Sequence, residues 1–207
     1  MKNVALTKDH QDVLTPDSVL QDFIDGNNRF VNNKLQDVDH LALQQQTIGG
    51  QYPKAVILSC IDSRVPVELI FDQSIGDAFV ARVAGNVVNG DMLGSMEYSC
   101  KVAGSKLVLV LGHEACGAVK AACDHVELGN ITGLLDNIQP AVSSTTTDGD
   151  RNSSNGEFVA DVIKNNVSLM MDRIRKESPI LAEMESNNEI KIVGGVYSLT
   201  TGRVEML

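Results

Sequence analysis

Basic residues are scarce in this chain. Its 207 residues carry 17 Lys and Arg against 27 Asp and Glu, a formal net charge of −10. No Lys/Arg cluster offsets that balance, which argues against a nucleic-acid partner or an anionic membrane surface. Long apolar runs are missing as well. Nothing approaches the ~18 apolar residues of a membrane span, and the stretch from Met1 to His10 holds no apolar core for a signal peptide. Cysteines number four, which fits a reduced protein at least as well as a disulfide framework. The expectation is a cytoplasmic protein without nucleic-acid or membrane partners. Internal repeats are absent, and the one low-complexity patch is the polar segment 143–156, expected to be a mobile loop. What remains is a chain 43% hydrophobic, enough to bury the core of a single domain spanning 1–207.

The hydrophobic pattern predicts how that domain is built. Residues 1–14 are polar and read as a loose arm. Thr15-Pro16-Asp17 has the chemistry of a helix start: a hydroxyl cap, proline at the first position and an acid in the first turn. Leu20, Phe23, Ile24, Phe30 and Val31 then recur at helical spacing, giving an amphipathic helix over 16–33, with a second helix over about 38–46. Residues 1–50 thus form an N-terminal helical arm on an α/β core of residues 51–207. Short apolar runs at 55–59 and 107–111 read as strands buried on both faces, and 77–83 as another strand. Helical patterns alternate with them at 65–71, 91–103 and 116–126. A short helix over 134–142, a long one over 158–174, a strand over 189–199 and a final short strand over 203–206 complete the chain. The expected fold is α/β: a mainly parallel central sheet of four strands plus a C-terminal edge strand, flanked by helices.

Residues able to do chemistry gather just past two of those strands, where ligands bind in open parallel sheets. After the first strand come Cys60, Asp62 and Arg64, two residues apart and on one face if the backbone is extended. After the third come His113 and Cys116, separated by two residues on a turn, with Cys116 opening a helix whose N-terminal potential favours a thiolate. An imidazole and thiolates so placed can converge on one metal ion. Cys100 and Cys123 fall in helices and read as buried thiols, and His10, His40 and His125 as solvated side chains.

Together, Cys60-x-Asp62-Ser63-Arg64 and His113-x-x-Cys116 resemble the signature of the β-class carbonic anhydrases, over residues from about 51 to 122. The resemblance implies one Zn²⁺ per subunit, bound by Cys60, His113 and Cys116. Its fourth position is held by water or hydroxide, or by Asp62 in a closed, inactive form; Arg64 is the partner of Asp62. The implied activity is the reversible hydration of CO₂ to bicarbonate by zinc-bound hydroxide. Three protein ligands and one open position are the mark of catalytic zinc, and the metal lowers the pKa of its water to roughly 7. Two thiolates neutralise more metal charge than imidazoles do, so this water should titrate somewhat higher than in a three-histidine site.

By offset, Gln51 matches a substrate hydrogen-bond donor of the plant-type members, and Phe79 and Tyr98 match their pocket aromatics. The resemblance further implies a homodimer or tetramer with active sites at the dimer interface. Two departures stand out. The allosteric bacterial subgroup carries Trp-x-Gly immediately before the first ligand, where this chain has Ile57-Leu58-Ser59 and no tryptophan anywhere. The expectation is therefore a member without that subgroup's bicarbonate effector pocket. A pocket valine of the plant-type members is replaced by Ala84. Two other functions compete: hydrolysis of carbon disulfide or carbonyl sulfide on the same fold, and a non-catalytic zinc scaffold or redox sensor. Gln51 favours the oxygen-rich substrate, and the presence of Asp62 and Arg64 disfavours the scaffold.

Overall fold

The computed structural model describes residues 2–207. Five strands form one sheet: β1 Ala55–Ser59, β2 Ala78–Arg82, β3 Leu107–His113, β4 Lys191–Tyr197 and β5 Val204–Met206. Their order is β2-β1-β3-β4-β5, with the first four parallel and β5 antiparallel to β4. This is the expected α/β fold. Every residue of β1 and β3 is buried, as their unbroken aliphatic runs require of central parallel strands.

Alternate residues of those strands feed two cores. Ala55, Ile57, Leu107, Leu109 and Leu111 pack with Val19, Phe23, Ile70 and Phe71 on one face. Val56, Leu58, Val108 and Val110 pack on the other against a larger helical layer. The first face is covered by α2 (Pro16–Val31) and α4 (Val67–Ile70), with α1 (Lys8–Asp12) and α3 (His40–Thr47) completing the N-terminal half. The second is covered by α5 (Gly90–Glu97), α6 (Gly117–Cys123), α7 (Gly129–Leu135), α8 (Gln139–Ser144), α9 (Gly156–Glu177) and α10 (Pro179–Ser186). Helix α9 lies directly on the sheet because Gly112 and Gly194 leave room for it. A Cβ at either position would stand 2.7 or 2.6 Å from the Val167 side chain.

Register is what builds the site. Ser59, the last residue of β1, lies opposite Arg82 of β2 and Leu111 of β3. The strands therefore end nearly level, and Cys60 emerges beside the end of β3. That strand runs further than its sequence indicates. His113 is its last residue, paired with Tyr197, and does not sit on the following turn.

Other expectations need correction. The N-terminal 14 residues are not a loose arm: they contain α1, and Gln11 is buried, its amide donating to the carbonyls of Pro53 and Ala103 at 2.7 and 2.8 Å. Helix α2 packs on its own domain through Phe23, whose ring centroid is 5.2 Å from that of Phe71. Asn27 fixes it further by donating to Ile70 and Gly202 carbonyls. The single helix expected over 134–142 is two, α7 and α8, and α10 was not anticipated. The helix expected over 91–103 is α5 continued by a π-helical turn, Tyr98–Val102. Segment 143–156 is polar but tied down. The Arg151 guanidinium donates to the Val142 carbonyl at 2.6 Å and lies 4.9 Å from the Phe158 ring centre, and the Asn155 amide bonds the carbonyls of Asp148 and Asp150.

Candidate metal centre

Three side chains meet where β1 and β3 end. Cys60 follows β1, His113 closes β3, and Cys116 is the N-cap residue of α6. Ala115, with φ of 53°, turns the chain between the last two. One ligand atom from each of the three lies within 4.8 Å of the others, and their exposures are 4%, 0% and 1%.

The imidazole is oriented from behind. His113 Nδ1 lies 2.8 Å from the Glu114 carbonyl oxygen, which can only accept, so Nδ1 carries the proton. That leaves Nε2 with a free lone pair, the tautomer a metal ligand needs. Nε2 is fully buried and has no hydrogen-bond partner among the described residues. A buried polar atom left so is costly; here it faces two thiols. The donor set, an imidazole nitrogen and two sulfurs, suits a metal ion.

Electrostatics agree with that use. A hydrogen bond from Cys116 is the main reason the Cys60 thiol is drawn down, against burial, helped by the Gly85 N–H. The same bond, with burial, pushes Cys116 up, so the pair readily holds one negative charge. Burial also raises Cys100, to about 12, and Cys123. Both are buried and free.

Asp62 and Arg64 stand at the mouth. The condition for a shared face is not met, because the chain is not extended here. Asp62 turns it by accepting from the Arg64 N–H at 2.9 Å, and the carboxylate is gripped by the same guanidinium, Nε to Oδ1 at 3.0 Å and Nη2 to Oδ2 at 2.8 Å. This two-pronged bond, with the backbone bond behind it, holds Asp62 well below the usual carboxylate range. Asp62 Oδ2 is 3.9 Å from His113 Nε2, so the carboxylate borders the cluster while paired away from it. A residue that sequence reasoning missed braces this segment. Arg82, at the end of β2, donates to the carbonyls of Cys60 and Asp62 at 2.9 and 2.6 Å. Its position opposite Ser59 in the register was the available signal.

Gln51, Phe79 and Tyr98 are not brought to this cluster within one chain. Gln51 precedes β1, whereas the cluster follows it, so the strand's five residues (~17 Å at 3.3 Å each) separate them. Gln51 is exposed and lines a surface hollow with Thr47, Gly50 and Ile75. Phe79 pairs with Val56, four residues before Cys60. Its ring centroid is 6.1 Å from that of Tyr98, edge to face, and the two line an open groove beside α5.

Comparisons with known proteins follow the same lines. The family model for carbonic anhydrase matches residues 55–204. Carbonic anhydrase 2 of Mycobacterium tuberculosis is 38% identical over 188 residues, covering 86% of each chain. The carbonic anhydrase of Mycolicibacterium smegmatis is 36% identical, covering 88% of each. Among solved structures, the β-carbonic anhydrase CafA of Aspergillus fumigatus superposes with a TM-score of 0.71 over 81% of both chains at 24% identity. The tetrameric β-carbonic anhydrases of Sordaria macrospora give 0.72 over 89% of this chain and 94% of theirs at 23% identity. With two spaced motifs meeting at the strand ends of this sheet, the chain belongs to the carbonic anhydrase family and has the β-class fold.

Proposed function

We propose that this protein interconverts CO₂ and bicarbonate using one zinc ion held by Cys60, His113 and Cys116. The observation that carries the reading is His113 Nε2, buried and without a partner, facing two thiols. Three protein donors leave one position open, as catalytic zinc sites do. Bound there, zinc would supply hydroxide near neutral pH by lowering the pKa of water to roughly 7. Removing it with a chelator is expected to abolish CO₂ hydration, and restoring one equivalent of zinc per chain to recover it. Activity that survives complete removal would sink the proposal.

The other residues orient and exclude. Asp62 offers an ionised acceptor beside the open position, and a hydrogen bond to it fixes the direction from which the nucleophile's lone pair meets carbon. Arg64 keeps that carboxylate in place and off the cluster. Because Arg64 depresses the Asp62 pKa, Asp62 stays ionised through the usual carboxylate range. It can protonate only at lower pH still. The fall in rate as pH drops is therefore expected to follow the water, somewhat above the roughly 7 of a three-histidine site, with no second inflection from Asp62 between about pH 5 and 7. Such an inflection, lost on Asp62→Asn, would contradict this assignment.

Gln51, Phe79 and Tyr98 are proposed to serve the active site of a neighbouring subunit. Strand β2 is an unpaired sheet edge, a surface that invites pairing with a second copy. Around it Ile61, Ile75 and Tyr98 are exposed at 61%, 40% and 55%. The Sordaria enzymes are tetrameric, and a homodimer or tetramer is the proposed state here. Gln51→Ala is expected to keep zinc and lose several-fold in kcat/KM, the worth of one hydrogen bond on the order of 1 kcal/mol. Wild-type kinetics from that variant would remove Gln51 from the site. With Ile57-Leu58-Ser59 before Cys60 and no tryptophan, inhibition by bicarbonate is expected to be hyperbolic.

A further inference from the structure

The inward stripe of α9 is apolar from Phe158 to Ile174, with one exception. Asn166 sits among Val162, Ile163, Val167 and Met170 at 1% exposure. Burying a carboxamide there costs free energy unless its groups are bonded. Its Nδ2 donates to the Gly85 carbonyl at 2.9 Å, while its Oδ1 has no partner among the described residues. One bond, to one backbone carbonyl, is what the amide is placed to make.

That carbonyl belongs to an unusual piece of chain. Gly85 has φ of 70° and ψ of 14°, and Asn86 follows with φ of 45°. Glycine takes this region freely, whereas Asn86 held in it depends on its surroundings. Gly85 is also hemmed in, since a Cβ on it would come within 2.6 Å of Ile138 Cδ1. The consequence lies on its other side, where the Gly85 N–H donates to Cys60 Sγ at 3.4 Å. A donor aimed at a ligand sulfur stabilises the thiolate and fixes its direction.

We propose that Asn166 is a positioning residue for the metal centre: by holding the Gly85 carbonyl, it keeps the Gly85 N–H trained on the sulfur of Cys60. This rests on Cys60 being a metal ligand. Asn166 touches neither substrate nor ligand, so its effect passes wholly through the Gly85 backbone. Losing it would leave the three donors in place but free the one N–H that orders the first of them.

The test replaces the amide by an apolar group of similar volume, Asn166→Leu, with Asn166→Asp as a second variant that keeps the shape and loses the donor. Val162→Ala, which opens the same helix stripe without touching Gly85, controls for general loosening. Two readouts are used: the rate of zinc transfer to a chelator, and the sulfur-to-metal charge-transfer absorption of the cobalt(II)-substituted protein. Both Asn166 variants are expected to lose zinc faster, on the order of tenfold, and to shift the absorption band. Val162→Ala is expected to lower thermal stability and leave both readouts unchanged. Folded Asn166 variants with wild-type transfer rate and band would overturn the positioning role, as would equal shifts in Val162→Ala. A wild-type cobalt protein with no thiolate band would overturn the metal reading itself, and this proposal with it.

Discussion

Cys116→Ser is expected to lose zinc and CO₂ hydration together. The thiol is 1% exposed, at the N-cap of α6. Serine fits the space, but its hydroxyl does not ionise at neutral pH and is a poor ligand for zinc. The two remaining donors, Cys60 and His113, cannot close a stable site. The effect reaches beyond activity because metal binding contributes to folding free energy. His113 Nε2, already without a partner among the described residues, would then be a buried polar atom that nothing among them satisfies. Metal analysis and a thermal melt on the purified variant are the measurements, with less than a tenth of wild-type zinc and a lowered Tm expected. Full zinc occupancy with normal turnover would remove Cys116 from the ligand set.

The second large effect is expected from Arg64→Ala, and it separates activity from metal binding. Arg64 is 54% exposed at its side chain, so its ion pair with Asp62 adds little to stability. What it supplies is direction. Three hydrogen bonds from this one residue hold the Asp62 carboxylate, while Asp62 Oδ2 lies only 3.9 Å from His113 Nε2. Without the guanidinium, the carboxylate has a short path into the cluster and a strong reason to take it. The variant is expected to keep zinc, to fall on the order of 100-fold or more in kcat, and to gain a fourth protein ligand by X-ray absorption spectroscopy. Retained activity with an unchanged coordination sphere would show that the pair does not hold the site open.

The strands were legible because Ala55–Leu58 and Leu107–Leu111 are unbroken aliphatic runs and little else in the chain is. The motifs were legible because their residues lie at or just past the ends of those strands, at the sheet end where ligands collect. What escaped depended on partners distant in sequence. Gln11 reads as a polar residue of a loose terminus until Pro53 and Ala103 present their carbonyls to it. Asn166 breaks the stripe of α9 for the sake of Gly85, 81 residues earlier. Arg82 could be assigned only once the register set it beside Ser59. Helix α10 did announce itself locally, since Ser178 caps it and Pro179 opens it, the chemistry already used to place α2. Gln51, Phe79 and Tyr98 show the opposite limit. Their offsets from Cys60 match a pocket, yet the strand carries them away from the cluster of their own chain. In the proposed dimer a second copy would bring them back.

Stopped-flow measurement of CO₂ hydration, on protein whose zinc content has been quantified, tests the central claim most directly. A rate proportional to bound zinc, rising with pH through the neutral range and lost in Cys116→Ser, is the expected result. Protein that carries a full equivalent of zinc and hydrates CO₂ no faster than buffer would contradict it.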